Sequence, residues 1–124
     1  MGGVMRVYVN IEDKRWKQYK IDFEKIANAA VTAKYKDAEV SITLVGDSEI
    51  RKINKKYRQM DKPTNVLSFE LSDDVLLGDI FISIDTVKKE ADSENISVPE
   101  HTAHMVLHGI LHLLVYDHIN DKDA

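Results

Sequence analysis

The chain of 124 residues contains no cysteine, which excludes a disulfide framework, a thiolate metal site and a cysteine nucleophile. Two prolines and five glycines are too few for a collagen-like or low-complexity chain. No apolar run approaches the roughly 20 residues needed to cross a bilayer. Residues 1–10 lack a basic segment followed by a hydrophobic one, so they do not read as a signal peptide. Arg6 stands where a myristoylation signal at Gly2 would need Ser or Thr. Aromatic residues make up only 7%, so exposed rings for stacking are few; Tyr57 and Tyr116 are the candidates, and a place in the core is the other reading of both. What remains, 44% hydrophobic and 31% charged, is the composition of one soluble globular domain over residues 1–124, expected in the cytoplasm.

Charge is uneven. The formal net charge is −4, which argues against bulk nucleic-acid coating, yet residues 1–62 carry 14 basic against 9 acidic side chains, while residues 63–124 carry 3 against 12. The densest basic run is Arg51, Lys52, Lys55, Lys56, Arg58 and Lys62. It reads either as a solvated helix face or as a surface that contacts phosphates.

Hydrophobic periodicity gives the elements. Strands are expected over 4–11, 40–44, 65–71 and 78–84, where apolar and β-branched residues recur. Helices are expected over 22–35, from an Asp47 or Ser48 cap to about Tyr57 with Ile50, Ile53 and Tyr57 facing inward, over 85–94, and from Pro99 to about Leu113. Lys62-Pro63 marks a loop over 58–64. The order β-α-β-α-β-β-α-α implies a mixed α/β layer fold, with helices packed on a sheet of about four strands.

All five histidines lie in the last quarter of the chain. At 100° per residue His101, His104, His108 and His112 fall within an arc of about 80° on one helix face. They cannot all share an ion, because His104 and His112 stand roughly 12 Å apart along the axis. His108 and His112, at i and i+4, can. A third ligand must then come from beyond the helix end, and His118 is the obvious supplier, leaving a fourth position for water as in a catalytic zinc site. The rival set is His101, His104 and His108; His104 otherwise serves as a supporting group, a phosphate contact or part of the structure. Zinc is the expected ion, with nickel, copper or iron also suited to three imidazoles. Asp117 bound as a fourth ligand would instead make the site structural.

The spacing of four and then six matches the metzincin peptidases, H-E-x-x-H-x-x-G-x-x-H, but Gly109 stands in place of the glutamate that acts there as general base. Peptidase chemistry of that kind is excluded. The glycine points either to close backbone packing or to drift.

Two blocks carry a resemblance. His108-Gly-Ile-Leu-His112-Leu-Leu-Val-Tyr116-Asp117-His118 resembles the H-G-x-L-H-L-x-G-Y-D-H signature of the YbeY family of bacterial metal-dependent endoribonucleases, with His104 matching its lead-in. Asn54 to Phe69 is similar to that family's N-x-x-Y-R-x-x-D-x-P-T-D-V-L-S-F, and Leu77-Gly-Asp-Ile80 to its L-G-D-I. The resemblance implies His108, His112 and His118 as metal ligands, and Arg58 and His108 as catalytic residues. The basic run would then track an RNA backbone, with contacts expected at Arg51, Lys55, Arg58 and His104, and a narrow cleft favours single strands; a monomer is expected. The resemblance alone implies a part in small-subunit ribosomal RNA maturation with the ribosome as partner. A guanidinium at position 58 can grip two phosphate oxygens, whereas its bland alternative is an ion pair with Asp61 or Glu49. Either water or a ribose 2′-hydroxyl would serve as nucleophile. Three positions depart from the pattern: Val115 replaces a glycine where the helix is expected to end, Asn65 replaces an aspartate, and the chain stops at Ala124 where relatives continue into another helix. Two other readings stand beside this one: a non-catalytic RNA- or ribosome-associated protein with a structural metal, and a metal hydrolase acting on small molecules.

Overall fold

The computed structural model describes residues 5–30, 38–70 and 76–123, with side chains in the last helix as far as Leu114. Four strands, β1 (Met5–Ile11), β2 (Ala38–Val45), β3 (Val66–Glu70) and β4 (Leu76–Ser83), form one sheet in the order β1-β2-β4-β3. β1, β2 and β4 run parallel, and β3 lies antiparallel to β4 at the edge. The helices are α1 (Phe23–Ala29), α2 (Asp47–Arg58), α3 (Ile84–Glu94) and α4 (Val98–Asp123). The expected mixed α/β layers are therefore present. The rest of the expected first helix, Val31 to Tyr35, and strand residue Leu71 lie outside the described residues.

The period of two along each strand sorts side chains onto two faces. Val40, Ile42, Ile80 and Ile82 point into the main core with Ala27, Val106, Ile110 and Leu113. The opposite face carries a smaller core of Val45, Ile50 and Leu67, with Phe69 and Phe81 packed against it. Ile50 is fully buried there and contributes about 1.5–3 kcal/mol, which holds α2 across the sheet. One short 3₁₀ helix, Lys14–Gln18, escapes periodicity analysis. It buries Trp16, whose indole Nε1 donates to the Val45 carbonyl at 2.9 Å.

Three expectations are corrected. Gly46, not Asp47 or Ser48, caps α2. The Asp47 carboxylate instead accepts hydrogen bonds from Ser83 Oγ and Thr86 Oγ1, both at 2.6 Å, because the start of α3 lies beside it. Tyr57 does not face inward but is 59% exposed. Finally, α4 does not stop near Leu113 but runs unbroken to Asp123, since β-branched Val115 fits a helix and poorly fits the left-handed turn that a glycine would allow.

The same end of the sheet holds a charged clasp. Arg15 donates to Asp13 and to both oxygens of Asp85, while the Asp47 backbone N–H also donates to Asp85. The Arg15 hydrogen bonds are the leading cause that holds both carboxyls below their usual value. A depressed native value means the unfolded chain binds more protons as pH falls, so this stabilisation is complete above about pH 4 and is lost below it. Urea unfolding between pH 2 and 6 should show a shallower loss of stability in Arg15→Met than in the parent. Equal slopes would remove the clasp from the balance.

Gly78 on β4 marks another tight point. A Cβ there would stand 2.3 Å from the Phe69 carbonyl oxygen and 2.8 Å from Leu113 Cδ2. Backbone cannot yield cheaply, so Gly78→Ala should cost about 1–3 kcal/mol in urea unfolding. An unchanged midpoint would contradict this packing.

Candidate nuclease site

α2 delivers Arg58 to one side of the β3 edge, and α4 delivers His108 and His112 to the other. Between them lies a cleft of about 470 Å³, also lined by Asn54, Met60, Lys62, Thr64 and Ser68. The chain leaves α2 through Gln59 in the left-handed conformation (φ 57°), which turns Met60 back so that its N–H bonds the Asn54 carbonyl. Asn54, buried, donates from Nδ2 to the Lys62 carbonyl at 2.9 Å. Those bonds fix the loop that forms the cleft wall.

Arg58 does not pair with Asp61 or Glu49. Its guanidinium donates to the Ser68 carbonyl at 2.9 Å and lies over Phe69, 5.0 Å from the ring centroid. Asp61 is taken by Arg51 at 2.7 Å, with Lys55 at 3.9 Å. Arg51 and Lys55 therefore stand outside the cleft lining and already share a carboxylate, whereas Arg58 has a neutral partner and N–H groups to spare.

On α4, glycine decides the approach of the histidines. A Cβ at Gly109 would stand 3.0 Å from Ser68 Oγ and 3.1 Å from Ile80 Cδ1. Close backbone packing is thus the reason for Gly109, and it lays α4 onto β3 and β4. His108 and His112 are exposed on the cleft side, and His112 Nε2 meets Glu70 Oε1 at 3.0 Å. Burial works to raise the Glu70 carboxyl, but its own backbone N–H, His112 and the charge of Arg58 outweigh it and hold it below the usual value. Sequence reasoning missed Glu70; its place opposite His112, 42 residues away, carries no local signal.

The rest of the stripe divides. His101 is buried, with Nε2 at 2.9 Å from Glu90 Oε1, which also accepts from Asn65 Nδ2. The amide at 65, where the resemblance has an aspartate, thereby bonds Glu90 without placing two carboxylates together. His104 is exposed, its ring 6.3 Å from that of His101, and it does not line the cleft.

His108 and His112 suit two positions on one ion. The side chain of His118 lies outside the described residues, but its backbone belongs to the unbroken α4. On such a helix position 118 is about 9 Å further along than 112 and roughly 240° around. The helix therefore continues past 112 instead of ending before 118, and no cluster of three potential ligands occurs among the described residues.

Comparison with known proteins gives this arrangement its family. The family model described as endoribonuclease YbeY matches residues 8–124. The chain belongs to the YbeY family. It is 42% identical to the endoribonuclease YbeY of Wolbachia pipientis from Culex pipiens, covering 93% of this chain and 82% of the relative. It is 50% identical to that of Colwellia psychrerythraea over 71% of this chain and 60% of the relative. A solution structure from Thermotoga maritima superposes with a TM-score of 0.60 at 28% identity, covering 89% of this chain and 71% of that one. Among the described residues no helix is long and apolar enough to cross a membrane.

Proposed function

We propose that this YbeY chain is a metal-dependent endoribonuclease that cleaves single-stranded RNA. The observation that carries the reading is the convergence of Arg58, His108 and His112 on one open cleft. Arg58 suits a phosphate because its planar fork can donate two parallel hydrogen bonds to phosphate oxygens, and Phe69 and the Ser68 carbonyl hold it in place. As negative charge grows on the phosphoryl oxygens during cleavage, that fixed guanidinium stabilises it without reorganisation. Lys62, at the cleft wall, adds positive charge along the strand's path.

His108 and His112 would hold a zinc or similar divalent ion, and metal binding would have to open α4 between 112 and 118 to bring in His118 as third ligand. Such an ion, when bound, supplies Lewis acidity at the phosphoryl group or activates water. Family membership supports RNA as substrate, and the resemblance of the two motif blocks supports ribosomal RNA of the small subunit, met on the ribosome; that the chain acts as a cytoplasmic monomer is part of the same proposal. The test is cleavage of an unpaired oligoribonucleotide and its duplex, with and without chelator. Chelator-sensitive cleavage of the unpaired strand is expected. Metal-dependent melting without any cleavage would replace this reading with that of a structural metal.

A further inference from the structure

The geometry points to Tyr57 as a stacking platform for one unpaired nucleobase of the bound RNA, a positioning residue that sets where the strand crosses Arg58. This inference rests on the nuclease reading above and adds to it a contact with the base.

Tyr57 is the most exposed large apolar side chain among the described residues, at 59%. It is not loose. Its ring meets Phe69 edge to face with centroids 5.3 Å apart, and Phe69 meets Phe81 in the same way at 5.9 Å. Phe69 and Phe81 pack on the smaller core, so the outermost ring is braced from below. Phe69 also carries the Arg58 guanidinium, which makes Tyr57 and Arg58 neighbours on one support. A strand whose phosphate lies on Arg58 has its adjacent base beside Tyr57.

Charge around the ring suits the same occupant. The Lys56 ammonium lies 5.2 Å from the Tyr57 centroid, and among the described residues neither Lys56 nor Arg58 is in a close ion pair, although the charge of Arg58 is felt at Glu70. An exposed lysine on a ring is held more weakly than a stacked base. A base therefore displaces Lys56 from the ring, and the freed ammonium takes up a flanking phosphate. A surface tyrosine that only shields Phe69 would be served equally well by leucine, and the difference between those two roles is measurable.

The test is binding of a short unpaired oligoribonucleotide to the full chain, with single abasic substitutions scanned along it, in Tyr57→Trp, Tyr57→Leu and the parent. Leucine keeps the cover over Phe69 and removes the π face. Expected are binding about tenfold weaker for Tyr57→Leu at unchanged melting temperature, and near-parental binding for Tyr57→Trp. One abasic position should weaken the parent about tenfold and leave Tyr57→Leu with no further loss. Parental affinity in Tyr57→Leu, or abasic losses that simply multiply with it, would overturn the platform while leaving the nuclease reading intact. Failure of the parent itself to bind or cleave RNA would overturn both.

Discussion

Arg58→Ala should lower the kcat/KM of RNA cleavage by about 10²–10³-fold, the usual loss when one fixed donor to a developing anion is removed. The fold should survive. Arg58 is exposed, and its contacts among the described residues are one hydrogen bond to the Ser68 carbonyl and one ring face, together about 1–2 kcal/mol. Arg58→Lys keeps the charge but loses the planar fork and its seat on Phe69, so it should recover only part of the rate. Kinetics at fixed salt, beside a thermal melt of each variant, check this. An Arg58→Ala enzyme that retains parental activity would take Arg58 out of the chemistry and return it to a surface role.

His112→Ala should bind the divalent ion more than about 100-fold more weakly and lose cleavage with it. Loss of a group that merely supports a ligand already costs 10–100-fold, and a direct ligand costs more. Metal content of the purified protein gives a readout independent of activity. Added zinc should restore the chelated parent but not the variant. Because α4 is unbroken, the corresponding His118→Ala variant carries extra information. It is expected to lose the ion as His112→Ala does, and amides near position 116 should exchange faster in the metal-loaded parent as the helix opens there. A His118→Ala protein that keeps its ion would remove His118 from the ligand set. The Glu70 carboxylate beside His112 Nε2 is then the first residue to test in its place.

These two experiments bear on residues that the sequence brought forward for different reasons. The histidine stripe is legible because helical period alone places 104, 108 and 112 on one face. Arg58 is not legible from periodicity: it sits in a run of six basic residues with Asp61 close by in sequence, and only the motif resemblance singled it out. The structure supplies the physical distinction, since Asp61 faces Arg51 and leaves Arg58 to a neutral carbonyl. Tyr57 shows the opposite failure. Its spacing from Ile50 and Ile53 reads as inward, yet its ring lies on the outer side of Phe69 on the edge strand β3 and is left mostly in solvent.

By itself, then, the sequence determined the order of strands and helices, the layered α/β class, the absence of thiol chemistry, and the face of α4 that bears imidazoles. Each of these follows from local periodicity or composition, which act over a few residues. Only tertiary structure decided that Gly109 serves close packing, that His101 belongs to Glu90, that Glu70 stands against His112, and that Phe69 supports both Arg58 and Tyr57. Those outcomes depend on which edge of the sheet α2 and α4 share, and that is set by the packing of two cores on opposite faces, which no short stretch of chain encodes.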